Sequence, residues 1–284
     1  MVLSNEDLKS KAQKIRQEIF KMICGAGGGH TPSCLSIVEI LVILYNDVLR
    51  VNFKEPHDPD RDRFILSKGH SGVALYAILA DKGFFDPKFL LTHGKKGTIL
   101  GGHPDMHKIP GVEASTGALG HGLAFGAGIA LAAKKDAKAY RTFVILGDGE
   151  CQEGSVWEAA LFAPQMKLDN LTVIIDHNKF QAMDRLDDII GLAPLVEKWK
   201  VFGWAVEEVD GHDIGALQAL FQRLPFTKGK PSCVIAHTVK GKGISFMENV
   251  SLWHYRQPKP DEIGVACKDL GILESELELF VQKK

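Results

Sequence analysis

The sequence lacks the features that mark membrane proteins, secreted disulfide-rich proteins and nucleic-acid-binding proteins. No apolar run reaches the roughly 18 residues that a membrane helix requires, and residues 1–14 are too charged to resemble a signal peptide. The five cysteines are scattered and match neither a disulfide framework nor a metal-ligand spacing. A net charge of −1 gives no general attraction to nucleic acid or to an anionic membrane. We therefore expect a cytoplasmic protein with reduced thiols that binds neither.

What the sequence does contain is an alternation of strand and helix signals in a chain of ordinary globular composition. Its 284 residues are 45% hydrophobic and 24% charged. Short β-branched runs predict buried strands over 64–66, 143–146, 171–175, 206–209 and 233–236. Caps and periodicity predict helices over 4–24, from 33 or 36 to 49, and over 71–82, 119–134, 153–166, 195–202 and 214–224. This alternation predicts an α/β fold, a doubly wound and mostly parallel sheet with helices on both faces.

The predicted elements also suggest how the chain is divided. We expect one domain over residues 1–258 and a C-terminal extension over 259–284 that ends in an amphipathic helix. Residues 83–115 show little periodicity, and an irregular stretch of that length inside a domain is usually functional or disordered. Its histidines and apolar content favour a functional role.

Two polar segments each follow a predicted buried strand. Gly147-Asp148-Gly149 ends one strand, and Asn178 follows the next. Parallel sheets bind ligands at the carboxyl ends of their strands, so both segments should meet in one crevice. Gly-Asp-Gly alone would indicate only a turn. The carboxylate and the amide oxygen together suit Mg²⁺, and the helix predicted over 153–166 begins beside them, which favours a metal-diphosphate site.

Four histidines lie in glycine-rich or polar loops, where glycine lets the backbone approach a ligand closely. They are His30, His70, His103 and His254. A lone histidine more often makes a structural hydrogen bond, but four in such loops predict a polar, proton-transferring pocket. Five others have weaker contexts and are expected to be structural or exposed: His57, His93, His107, His177 and His212. His237, at a strand end, fits either role.

The metal segments resemble a known cofactor motif. Gly147-Asp148-Gly149, the 28 intervening residues and Asn178 are similar to the thiamin diphosphate motif. The resemblance implies that the metal is held by the side chains of Asp148 and Asn178 and by the backbone carbonyl of Phe180. Mg²⁺ is the expected metal, with Ca²⁺ or Mn²⁺ as substitutes.

From about Leu8 to Pro258 the chain resembles the N-terminal section of a transketolase. The landmarks are Gly29-His30, Leu66-Ser67-Lys68-Gly69-His70, Gly102-His103-Pro104, Ser115-Thr116-Gly117-Ala118-Leu119, the metal motif, Asp210-Gly211-His212-Asp213 and Lys240-Gly241-Lys242-Gly243. The resemblance implies catalytic roles for His30, His70, His103 and His254. It implies cofactor contacts for His70, Gly117, Leu119, Gly147, Asp148, Gly149, Glu153, Asn178 and Lys240, with Glu153 also at a dimer interface.

The implied activity is transfer of a two-carbon ketol unit from a ketose phosphate to an aldose phosphate, as in the pentose phosphate pathway. A complete transketolase is more than twice as long as this chain, and its second part supplies the pyrimidine-binding domain. Residues 259–284 are too few to encode that domain. The resemblance thus implies either a fragment or one half of a split enzyme, whose partner in an α₂β₂ assembly would be a C-terminal subunit. Structured ends favour the split enzyme.

Other thiamin diphosphate enzymes remain as alternatives. They are the α-type subunit of a 2-oxo acid dehydrogenase, a decarboxylase subunit, a deoxyxylulose phosphate synthase-like enzyme and a non-catalytic cofactor-binding scaffold. The four loop histidines and Gly102-His103-Pro104 favour transketolase. Two departures from the family pattern are His121, where Gln is frequent, and Tyr255-Arg256, where a small residue is common after Trp-His. The second could alter acceptor specificity, or it could be neutral drift.

Overall fold

The computed structural model describes residues 3–281, and within them five parallel strands form one sheet in the order β1-β2-β3-β5-β4. The strands are β1 Arg63–Leu66, β2 Thr142–Gly147, β3 Leu171–His177, β4 Ala205–Asp210 and β5 Ser232–His237. The helices are α1 Asn5–Ala26, α2 Thr31–Leu35, α3 Val38–Ile43, α4 Gly72–Lys82, α5 Gly122–Lys135, α6 Gly154–Gln165, α7 Leu186–Ile190, α8 Leu195–Val201, α9 Ile214–Phe221, α10 Pro260–Leu270 and α11 Glu274–Glu278. Every predicted strand is present.

The sheet is buried on both faces, as parallel sheets are. Along β2, Phe143 and Ile145 enter one apolar cluster with helices α1 to α4 and α9, while Val144 and Leu146 enter a second cluster with α5, α6 and α8. Alternate side chains of one strand thus point into two cores. This confirms the predicted α/β fold with helices on both faces.

After β3 the chain passes to the edge strand β4 and then returns to form β5, which lies between β3 and β4. The strand order therefore reverses between β3 and β5. The connecting helix α9 lies in the cluster on the opposite face from α6 and α8. A reversal of this kind opens a crevice at the carboxyl ends of the strands, which is where such sheets bind ligands. Asn178 follows β3 and Lys240 follows β5 at this crevice.

Both ends of the described chain pack together. Ser4 caps α1, and it does so through a reciprocal capping box with Asp7. The side-chain amides of Gln13 and Gln17 donate to the carbonyl of Leu270, at 2.6 and 3.0 Å. The predicted final helix is instead two helices, α10 and α11, and residues 282–284 lie outside the described residues.

The helix predicted up to residue 49 is broken into α2, α3 and a π-helical turn over Leu44–Val48. At the first break the hydroxyl of Ser36 donates to the carbonyl of Ser33 at 3.1 Å and to Asp176 at 2.8 Å. Such serine hydrogen bonds compete with regular helix. Residues 83–115 are irregular apart from a 3₁₀ turn over Pro87–Thr92, close to the prediction. Over residues 3–281, no helix is both long and apolar enough to cross a membrane.

Candidate active site

A cavity of about 300 Å³ lies at the carboxyl edge of the sheet, at the strand-order reversal. All the residues singled out from the sequence line it: His30, His70, His103, Gly117, Leu119, Gly147, Asp148, Gly149, Glu153, Asn178, Phe180, Lys240 and His254. Six residues that sequence reasoning did not assign also line it: Ser33, Lys68, Glu150, Gln152, Gln181 and Ala182. Residues from several separate loops therefore meet around one space.

One wall of the cavity carries the three oxygen groups predicted to bind metal. The carboxylate of Asp148 is buried and accepts the backbone N–H groups of Gly149 at 2.8 Å and Lys179 at 2.6 Å. The Asn178 side-chain oxygen accepts the N–H of Phe180 at 3.0 Å. Lys179 has a left-handed φ of 68°, so the chain turns sharply after β3. This turn brings Asn178 and Phe180 to the same cavity as Asp148.

The electrostatics of Asp148 fit a bound cation. Burial, and then the nearby charge of Asp176, raise the pKa of Asp148 to about 7. Two backbone hydrogen bonds and the positive charge of Lys68 offset this rise only in part, and a divalent cation would supply further compensation. One carboxylate, one amide oxygen and one carbonyl form a hard oxygen donor set that suits Mg²⁺ completed by phosphate oxygens.

Lys240 forms the cationic side of the same wall. Its ammonium donates to the carbonyls of Phe180 and Gln181, both at 3.2 Å, and lies 3.0 Å from Nδ1 of His254. Burial, and then the charge of Lys68, lower its pKa to about 8, which leaves it protonated at neutral pH. An ammonium has only donors, so Nδ1 of His254 accepts and its Nε2 carries the hydrogen. Lys240 thereby fixes the tautomer of His254.

A buried ion pair that sequence reasoning missed supports this wall from behind. Lys68, after β1, pairs with Asp176, at the end of β3, and neither side chain is more than 1% exposed. The Asp176 carboxylate also accepts hydrogen bonds from Ser36, Thr238 and Asn178. Burial acts to raise the pKa of Asp176, but the Lys68 charge and these hydrogen bonds hold it below its usual value. The sequence does offer one signal for a role of Lys68 at the site, since Lys68 follows the end of β1 and lies two residues before His70.

Glu150 ties three segments of the cavity together, and it was also not assigned from the sequence. Its carboxylate accepts the backbone N–H groups of Gly120 at 2.9 Å and Gly147 at 3.0 Å, and the hydroxyl of Ser67. The ends of β1 and β2 and the loop before α5 are thus joined by one side chain. Leu119 precedes Gly120 in the chain, so the hydrogen bond from Gly120 to Glu150 also keeps Leu119 at the cavity.

Three of the four predicted histidines form a cluster of rings. Ring centroids are 5.1 Å apart for His30 and His70, 5.2 Å for His30 and His254, and 5.8 Å for His70 and His254. Burial is the main cause that lowers the pKa of His30 to about 4, that of His254 to about 3 and that of His70 well below its usual value. All three are neutral at pH 7, so each ring offers one hydrogen-bond donor and one acceptor.

His103 lies on a different wall and is exposed. Its ring packs against the backbone of Gly117, where an added Cβ would lie 3.1 Å from it. Gly117 has a φ of 143°, a conformation that favours glycine. Gly69 in turn abuts the same segment, since a Cβ there would lie 2.7 Å from the Gly117 nitrogen. Two glycines therefore bring the loop before His70 close to the loop that holds His103.

The remaining histidines lie outside this cluster. His57 and His107 are exposed, and His93 is buried with Nδ1 3.0 Å from the carbonyl of Leu100, as expected. Nε2 of His237 lies 2.8 Å from Glu208 on an exposed part of the edge. His177 lies 3.5 Å from Asp148.

Comparison with known proteins agrees with these features. The family model described as the thiamine diphosphate binding domain of transketolase matches residues 8–281. The chain is 45% identical over 269 residues to one of the subunits of the apulose-4-phosphate transketolase of Actinobacillus succinogenes (94% of this chain, 97% of that protein). It is 41% identical over 242 residues to a 6-deoxy-6-sulfo-D-fructose transketolase subunit of a Clostridium species (85% and 88%). Transketolase from Pichia stipitis, in complex with sedoheptulose 7-phosphate, superposes with a TM-score of 0.89 at 29% identity (96% and 42%).

A parallel α/β domain with this cavity at its strand ends is the diphosphate-binding domain of a thiamin-dependent enzyme. The chain belongs to the transketolase family, in which it corresponds to the thiamine diphosphate binding domain. It spans less than half of the solved transketolase chain and most of the length of the two relatives named as subunits. The predicted family is confirmed.

Proposed function

We propose that this chain is the diphosphate-binding subunit of a split transketolase. It would bind thiamin diphosphate and Mg²⁺ and, with a C-terminal subunit, transfer a two-carbon ketol unit from a ketose phosphate to an aldose phosphate. One observation carries the proposal: the oxygen groups of Asp148, Asn178 and Phe180 share a cavity with His30, His70, His103 and His254.

The donor groups of the cavity suit both components of the cofactor. Asp148, Asn178 and the Phe180 carbonyl would hold the metal, because each oxygen keeps a lone pair beyond the hydrogen bonds described above. Lys240 would supply positive charge to the diphosphate, and Gly147 and Gly149, which have no side chains, would let it approach the cavity wall closely. When bound, thiamin diphosphate supplies the nucleophilic carbon and the electron sink for cleavage of the ketose carbon–carbon bond.

The histidines would bind and deprotonate the sugar. His30 and His70 are neutral, so each can accept a hydroxyl proton at one ring nitrogen or donate a hydrogen bond from the other near pH 7. Since Nδ1 of His254 accepts from Lys240, its Nε2–H is the group left to donate to a sugar oxygen. His103, beside Gly117 on a separate loop, would contact the donor ketose and the transferred two-carbon unit.

We assign the missing pyrimidine-binding half to another chain, in an α₂β₂ assembly. The five described strands all belong to the one sheet that carries the diphosphate-type cavity. Apolar side chains remain exposed on α5 and α6, which pack side by side: Phe125, Leu161 and Phe162 are 47%, 61% and 41% exposed. Leu119 and Glu153, at the cavity rim, are exposed nearby. An apolar face of this kind is suited to an interface between subunits.

The physiological sugar is a narrower question. One relative is named for apulose 4-phosphate and the other for 6-deoxy-6-sulfo-D-fructose, so close relatives differ in their named substrates. We propose that the donor is a ketose that carries a terminal anion, and that the common pentose phosphate pathway sugars are one set to be tested beside these two.

The test combines reconstitution with cofactor binding. The purified chain is mixed with its candidate C-terminal subunit, thiamin diphosphate and Mg²⁺, and two-carbon transfer from each ketose to ribose 5-phosphate is followed. We expect transfer only when both chains are present. Asp148→Ala should abolish Mg²⁺-dependent thiamin diphosphate binding in calorimetry, whereas Asp188→Ala, an exposed carboxylate, should not. Full transfer by the isolated chain, or unchanged cofactor affinity in Asp148→Ala, would overturn the proposal.

A further inference from the structure

An aromatic side chain, Tyr255, continues the line of rings from the cavity toward solvent. Its ring centroid is 4.8 Å from that of His30, at an interplanar angle of 61°. The His30 ring centroid is also 5.1 Å from that of His70. His70 and His30 are partly buried, whereas Tyr255 is 67% exposed. Tyr255 therefore lies outward of the histidines that line the cavity.

The backbone on both sides of Tyr255 is firmly anchored. Arg256 lies over the buried ring of Trp253, at 4.1 Å, and donates to both carboxylate oxygens of Glu262, at 2.9 and 3.1 Å. Gln257 lies against Gly28, where an added Cβ would be 3.6 Å from the Gln257 side chain. These contacts anchor the backbone beside Tyr255, and the ring of Tyr255 itself packs on one side against His30.

We infer that Tyr255 is a specificity-determining residue that forms the outer wall of the sugar channel and limits the length of the aldose acceptor. This rests on the proposed function. A sugar whose reacting carbon lies among His30, His70 and His254 must extend away from the buried end of the cavity. Its far end then passes the aromatic ring beside His30. An aromatic ring at that place favours short acceptors over long ones by steric exclusion.

The expected change in acceptor preference can be estimated from how strongly enzyme pockets generally discriminate between substrates of different size. A difference of one or a few carbon atoms in a shaped pocket is worth about 10- to 200-fold in kcat/KM. We therefore expect removal of the ring to change the ratio of kcat/KM between a long and a short acceptor by about tenfold or more. Most of this change should be a rise in kcat/KM for the long acceptor, because the short acceptor does not reach the ring.

The experiment uses the reconstituted two-subunit enzyme and a series of aldose phosphate acceptors of increasing chain length: glyceraldehyde 3-phosphate, erythrose 4-phosphate and ribose 5-phosphate. Tyr255 is replaced by Phe, Leu and Ala, which remove first the hydroxyl, then the ring, then most of the volume. We expect Tyr255→Phe to keep the wild-type ratio, and Tyr255→Leu and Tyr255→Ala to raise the relative kcat/KM for ribose 5-phosphate stepwise. Leu252→Ala, at a 68% exposed position in the same segment, is the matched control and should keep the wild-type ratio.

The outcomes separate this inference from the proposed function. Calorimetry should give wild-type thiamin diphosphate affinity for all Tyr255 variants, since the Tyr255 ring packs against His30 and not against a residue proposed to hold the metal or the diphosphate. If Tyr255→Ala keeps the wild-type ratio, or if Tyr255→Phe shifts it as much as Tyr255→Ala, the steric role is wrong. Absence of two-carbon transfer by the wild-type pair with every donor and acceptor would instead contradict the proposed function.

Discussion

Lys68 and Asp176 form an ion pair in which both charges are removed from water, and it joins the ends of β1 and β3 beneath the cavity. Loss of one member of such a pair leaves an uncompensated buried charge, which typically costs about 3–5 kcal/mol. We expect Lys68→Met to lower the free energy of unfolding by about this amount in urea denaturation. Loss of both charges in Lys68→Met/Asp176→Asn should recover part of it.

The exposed pair of Lys9 and Glu6 provides the control for this prediction, since surface pairs contribute little. Lys9→Met should leave the urea midpoint nearly unchanged. A Lys68→Met variant as stable as Lys9→Met would show that the buried pair adds nothing to the fold.

The neutral histidines predict a loss of stability in acid. Burial, then Lys240, lower the pKa of His254 to about 3, and burial, then His103, lower that of His30 to about 4, against an unfolded value near 6.5. Below pH 6.5 the unfolded chain therefore binds more protons than the folded one, so stability falls as pH falls toward 4. Urea denaturation at several pH values should show a shallower fall for His254→Gln. Leu252→Ala is the control and should show the same pH dependence of stability as the wild type. If His254→Gln also shows the wild-type pH dependence, the prediction is wrong.

His212 predicts an indirect effect on cofactor binding. Its Nε2 accepts the N–H of Val239 at 2.8 Å, and its Nδ1 lies 3.0 Å from the Glu39 carboxylate, which also pairs with Arg16. The residue next to Val239 is Lys240. A lost buried hydrogen bond costs about 1–3 kcal/mol, so His212→Ala should weaken thiamin diphosphate binding by about tenfold through misplacement of Lys240.

Calorimetry with Mg²⁺ measures this effect, and the choice of variants separates positioning from simple unfolding. His212→Gln, which keeps a polar group, should restore part of the affinity. His237→Ala, at an exposed histidine of the same sheet edge, should bind as the wild type. Equal affinity for His212→Ala and His237→Ala would remove His212 from the positioning role.

His103 predicts a change in turnover without a change in cofactor affinity. It lies on a separate loop from the oxygen groups, with its ring against Gly117, so His103→Ala should bind thiamin diphosphate normally. Loss of a catalytic acid–base or hydrogen-bonding group typically lowers turnover by about 10²- to 10⁴-fold, and we expect this range in the reconstituted enzyme. His107→Ala, an exposed neighbour in the same loop, is the control. Wild-type turnover in His103→Ala would exclude a catalytic role.

The sequence alone predicted those parts of the fold and site that depend on local patterns. β-branched runs such as Phe143 to Leu146 are buried on both faces of the sheet, and the continuous apolar character of the run predicts that burial. Asp148 and Asn178 were found because each comes directly after such a run. The histidines were found because glycines or other loop residues surround them.

The supporting contacts were missed because their partners are distant along the chain. Lys68 and Asp176 are 108 residues apart, and Glu39 and His212 are 173 apart. Neither pair has a local pattern that predicts it. The helix predicted up to residue 49 failed for a related reason: Ser36 bonds to Asp176, so a tertiary contact breaks a segment whose own sequence favours a continuous helix.

The neutrality of the His30, His70 and His254 cluster also bears on the direction of the reaction. A cluster that begins and ends a cycle without net charge takes up a proton in one half-reaction and gives it up in the other. It therefore favours neither the breaking nor the making of the sugar carbon–carbon bond. Such a site is suited to a reversible exchange whose direction is set by the concentrations of the sugars on either side.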